Sequence, residues 1–121
     1  MKTIVQLLIG IIALEHLYFL WIEMFAWETT GKKAFKHVIP DELFTSTKGL
    51  AANQGLYNGF LSVGLIWTFF IADSTWKTYI SFFFLGCILI AGIYGGITAG
   101  RKIILIQALP AVIALIFLLL S

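Results

Sequence analysis

Three side chains able to exchange protons, Glu15, His16 and Glu23, stand inside an otherwise apolar run, Ala-Leu-Glu-His-Leu-Tyr-Phe-Leu-Trp-Ile-Glu over residues 13–23. A charge held at mid-bilayer costs roughly 2.5–3.5 kcal/mol on insertion scales, so such residues call for a partner, a watery cavity or a ligand. In a helix, residues seven apart lie within about 20° of one face. His16, Phe19, Glu23 and Trp27 therefore form one stripe, and Glu15 points about 100° away from His16, toward Tyr18. His16 and Glu23 are roughly 10.5 Å apart along the axis and need another helix to share a ligand. A carboxyl group and an imidazole are the usual carriers of acid–base catalysis. Glu15, His16 and Glu23 are thus the catalytic candidates, with Glu15 or Glu23 as acid or base and His16 as its partner.

Groups that could orient a ligand come from further along. Asn53, Gln54, Tyr57 and Asn58 fall within about a 140° arc of one helix. If that helix runs antiparallel to the first, Asn53, Gln54 and Tyr57 lie beside Glu23 and Phe19, while Asn58 approaches His16 and Glu15. Tyr94, with Thr98 four residues on, and Gln107 complete the set. A polar pocket open toward the cytoplasm is the expectation. Glu and His are metal ligands, but the Glu-x-x-His spacing of di-iron bundles is absent and no metal site is expected. No cofactor motif is visible, and no nucleophile–base–oxyanion pattern. A hydrogen-bonded knot with a purely structural role remains the plain alternative.

The elements that position these groups are apolar helices. The 121 residues are 60% hydrophobic and 12% charged, with a mean hydropathy of +0.99. A soluble domain is about 25% charged and 45–50% apolar. The composition predicts one all-α domain over residues 1–121, an integral protein of the lipid bilayer. Four spans are expected: Thr3 to Trp27, Leu50 to Ala72, Trp76 to Ala99, and Ile103 to Leu120. Lys2 before an apolar run imitates a signal peptide, but no small-x-small cleavage site follows and the run continues through Trp21. Thr29-Thr30-Gly31 should break the first helix. The 28–49 segment is the one longer loop, suited to the membrane surface, with a short helix starting after Pro40. Asp73-Ser74-Thr75 signals a helix N-cap. Gly100-Arg101-Lys102 leaves room only for a tight hairpin.

Lys32, Lys33, Lys36, Lys48, Arg101 and Lys102 fall on one face of a four-span topology, against Lys2 and Lys77 on the other. The positive-inside rule then places the long loop in the cytoplasm and both termini outside the cell membrane. No basic run with interleaved aromatics supports nucleic-acid binding. Cys87 reads as a small hydrophobe within a helix. Gly55 and Gly59, and Gly92, Gly96 and Gly100, repeat at the spacing that lets helix backbones approach. These faces serve internal packing or a homodimer through Gly55, Gly59, Gly92 and Gly96. Gly55 and Gly59 are expected to point away from the polar arc. Pro110 removes a backbone donor and should kink the last helix.

Ala13-Leu14-Glu15-His16 with Glu23-Met24-Phe25, then Asn53-Gln54-Gly55-Leu56-Tyr57-Asn58-Gly59-Phe60-Leu61, Ala91-Gly92-Ile93-Tyr94-Gly95 and Gln107-Ala108-Leu109-Pro110-Ala111 run across nearly the whole chain. Together they resemble the domain of unknown function 1304 family of small bacterial membrane proteins. The Asn-Gln-Gly-x-Tyr-Asn-Gly segment is the specific part. The resemblance implies a four-helix membrane protein of this length and no established activity.

Three functions fit these residues. In the first, the polar pocket binds a small hydrophobic molecule entering from the lipid and converts it by proton transfer, as an isomerase or hydratase would. In the second, a dimer transports a small molecule or ion, with Glu15 binding a cation. The outer halves of the spans are nearly all apolar, which favours the first. In the third, the chain is a scaffold packed against a larger membrane partner.

Overall fold

The computed structural model describes residues 1–121, and it is all-helical with no strands. Helix α1 (Thr3–Phe25) ends at Ala26, whose φ of −134° leaves the helical region. The chain then winds a π-helical turn, Trp27–Gly31, in which the Gly31 N–H donates to the Ala26 carbonyl at 2.8 Å. So Thr29-Thr30-Gly31 does not end α1: the break falls at Ala26, and these residues belong to a wider turn. Trp27 is the reason. Its indole is buried, and a Cβ on Gly31 would stand 2.9 Å from that ring. A bare glycine lets the turn close over the indole.

A single turn, α2 (Lys32–Ala34), follows; a 3-10 turn over Asp41–Leu43 starts directly after Pro40, whose preset φ suits it to that place. Helix α3 (Lys48–Trp67) runs into a 3-10 turn at Thr68–Phe70. Asp73 caps α4 (Ser74–Thr98) as predicted, its carboxylate accepting the Trp76 N–H at 2.9 Å. After the hairpin at Gly100, a π-helical stretch, Ile104–Ala108, leads into α5 (Leu109–Leu119). Pro110 therefore sits in the first turn of α5. The widened stretch ahead of it accommodates a residue that has no N–H to donate.

The chain divides into two compact units, Met1–Leu14 with Leu61–Ser121, and Glu15–Phe60. In the first, Val5, Ile9 and Ile12 present one face of α1 to a core with Leu65, Leu85, Ile88, Ala111, Ala114 and Leu118. The Ser62 hydroxyl donates to the Ala13 carbonyl at 2.7 Å within it. In the second, Ile22, Trp27, Phe44 and Ala51 form a separate core flanked by Phe35 and Ile39. The Trp27 ring lies 5.0 Å from Phe44 and 5.4 Å from Phe35, and its indole N–H donates to Thr47 at 3.0 Å. The segment expected as a surface loop thus carries packed aromatic structure of its own.

Of the four predicted spans, two are long and apolar enough to cross a membrane, α1 and α4. The stretch Ile104–Leu119 is apolar but shorter. Helix α3 occupies the predicted second span but carries Lys48, Asn53, Gln54 and Asn58 among its residues.

Candidate functional site

One polar side-chain pair joins α1 and α3. Asn58 Nδ2 donates to Glu23 Oε1, and Asn58 is only 7% exposed. Glycine makes this reach possible. A Cβ on Gly55 would stand 2.7 Å from Met24, 3.0 Å from the Glu23 Cβ and 3.2 Å from the Leu20 carbonyl. One on Gly59 would strike the Leu20 side chain at 2.6 Å. Without side chains at 55 and 59, α3 lies directly on the Leu20–Met24 turn of α1, and Asn58 spans the short remaining distance.

His16 is completely buried, with its ring edge-on to Phe19 at 5.2 Å. Glu15 is partly exposed, yet its Oε1 is buried and has no hydrogen-bond partner. A buried acceptor of this kind is uncommon and calls for an explanation.

The face of α3 differs from the predicted one. Ala51, Gly55, Asn58, Gly59 and Ser62 are buried, whereas Asn53, Gln54 and Tyr57 are exposed. Tyr57 packs edge-on against Phe60 instead. Asn58 sits at the margin of the polar arc, about 60° from Gly55 around the helix, and so shares the packed face. The glycines therefore do not point away from every polar group. Asn58 also reaches Glu23 rather than His16. Ser62 was not singled out from the sequence. It lies on the Gly55–Asn58–Gly59 stripe, and the heptad step from Gly55 marks it.

Tyr94 and Gln107 belong to the other unit. Tyr94 is 69% exposed, on the opposite side of α4 from buried Gly92 and Gly96. Gln107 is half-buried in the π-helical stretch. The glycines expected to serve internal packing or a dimer have close neighbours within the chain. Cβ atoms on Gly92 and Gly96 would meet Ala108 and Ile104.

Outside the apolar helices, Glu28 accepts a hydrogen bond from Thr45 at 2.9 Å and lies 3.4 Å from the Lys48 ammonium. The Thr45 hydroxyl first, then Lys48, hold its carboxyl below the usual carboxylate range.

A family model, described as protein of unknown function (DUF1304), matches residues 10–119. The uncharacterized protein YpaA of Lactococcus lactis subsp. lactis (strain IL1403) is 33% identical over 116 residues, covering 94% of this chain and 96% of that protein. No solved structure matches.

Proposed function

The chain belongs to the DUF1304 family of proteins of unknown function, and we propose that it is a multi-pass protein of the cell membrane that binds a small hydrophobic molecule at the polar level of α1. The long loop faces the cytoplasm and both termini lie outside, as the distribution of Lys and Arg favours. The observation that carries the reading is Glu15, whose buried oxygen lacks a partner in a helix apolar enough to cross a membrane. An ionisable residue in such a helix is by default a functional one.

Glu15 would receive the polar end of the ligand. His16, one residue on, would hold or return a proton, so an isomerisation or hydration by proton transfer is the reaction this set suits. Glu23 is held by Asn58 and acts as a positioning residue, fixing α3 against α1.

The test is native mass spectrometry of the protein extracted from its own membrane, beside Glu15→Gln and the exposed control Asn53→Ala. A small molecule retained by wild type and Asn53→Ala but lost from Glu15→Gln is the expected result. A folded wild type carrying nothing, or equal retention by all three, would refute the assignment.

A further inference from the structure

The first half of α1 bounds a second feature. A groove of about 520 Å³ runs along it, walled by Leu7 and Leu14 on one side and by Ile66 and Phe69 on the other. Gly10 lies between the walls and leaves the groove its depth. The polar side chains that line it, Thr3 and Gln6, stand together at one end. Glu15, His16 and Glu23 lie about 120–140° around the helix from Gly10.

Three features select an occupant. From Thr3 to Leu14 the helix rises about 16 Å, half of the roughly 30 Å hydrocarbon core. The groove therefore spans one leaflet. A second copy's helix would demand a furrow through both leaflets and wide enough for a cylinder about 10–12 Å across. The polarity is also graded: hydroxyl and amide at the helix terminus, hydrocarbon everywhere below. Lys2, exposed beside Thr3, puts a positive charge at the polar end, where a phosphodiester would lie.

We propose that this groove is a binding site for one acyl chain of a phospholipid, with the headgroup at Lys2, Thr3 and Gln6. The proposal rests on the membrane reading given above, but not on the ligand proposed at Glu15. The chain lies over Gly10, between Leu14 and Phe69, and is held longer than a lipid on a plain helix face.

The experiment uses the full chain in phospholipid nanodiscs, with a photoreactive benzoyl-phenylalanine in place of Leu14 or, as a control, of Phe83. The two positions are similarly exposed, at 67% and 64%, and lie at similar distances from the starts of their helices. Adducts are identified by mass. Phospholipid adducts several-fold more abundant at position 14 than at 83 are expected. Adding Gly10→Leu should bring position 14 down to the control. That variant fills the groove without striking backbone, because its Cβ meets only the Phe69 ring, at 3.8 Å. It also improves helix propensity, so loss of the fold is not the expected cause of a change.

Equal lipid adducts at both positions, unaffected by Gly10→Leu, would overturn the groove site and leave the membrane reading standing. Absence of lipid adducts at both would overturn the membrane reading itself. An adduct to a second copy of the chain at position 14 would replace the acyl chain by a dimer contact.

Discussion

At the scale of single residues, Glu23 and Asn58 show how a polar group is kept inside an apolar pair of helices. The carboxylate accepts from an amide on the facing helix, and removing the amide leaves the acid buried without its donor. Leaving a buried polar group unsatisfied costs about 1–3 kcal/mol. Asn58→Leu should therefore lower unfolding stability in micelles by that amount, whereas Asn53→Ala, on the exposed face, should stay within about 0.5 kcal/mol. Glu28 supplies a pH dependence. Its pKa is lower folded than unfolded, so its stabilising contribution is fully present above the ordinary carboxylate value, 4.5. That contribution fades as pH falls through the lower, folded value. Protection factors of residues 44–48, taken relative to intrinsic exchange at each pH, should fall on acidification through that range. Glu28→Gln should show the lower protection already at neutral pH and little further change.

Elements are set against one another by glycine. On α4, a Cβ at Gly92 would meet the Ala108 backbone nitrogen at 2.6 Å and its Cα at 2.9 Å, whereas Gly86 has nothing within 4 Å. Backbone cannot rotate out of the way as a side chain can. Gly92→Ala should thus cost about 1–3 kcal/mol, the usual range for overpacking. Gly86→Ala should stabilise by about 0.5–1 kcal/mol through helix propensity alone. Comparing the two in one unfolding assay separates close approach from propensity, since both change the same atom on the same helix. The Trp27 turn is held in the complementary way, by bulk. Phe44 is fully buried against the indole, and Phe44→Ala should cost about 3–5 kcal/mol. Exchange protection would then be lost first across residues 27–47.

For the molecule as a whole, the proposed topology makes one demand on accessibility. Lys36 and Ser121 are both exposed, and the proposed four-crossing topology would put them on opposite faces of the membrane. In a Cys87→Ser background, a membrane-impermeant maleimide added to intact cells should label Ser121→Cys and leave Lys36→Cys unlabelled until the cells are lysed. The reverse pattern would invert the topology. Labelling of both in intact cells would rule out four crossings.

Hydropathy and local chemistry suffice to place the helices, because apolar runs, capping and chain reversal are decided by residues near one another. The apolar runs lie where α1, α3, α4 and α5 form, Asp73 caps α4, and Pro40 opens a turn. The Glu15–His16 pair and the Asn-Gln-Gly-x-Tyr-Asn-Gly segment also marked the polar residues and the family. Periodicity fixes angles around a helix axis, but not how the helix is rotated and shifted against its neighbour. That is why the sequence sets Asn53, Gln54 and Tyr57 beside Glu23 and Asn58 beside His16, whereas in the structure it is Asn58 that is buried beside Glu23. The choice was made by the space that Gly55 and Gly59 leave for Leu20 and Met24, a contact between residues more than thirty positions apart. The groove at Gly10 is of the same kind: a missing side chain on α1 meets the Phe69 ring from another segment, and no local pattern records that meeting.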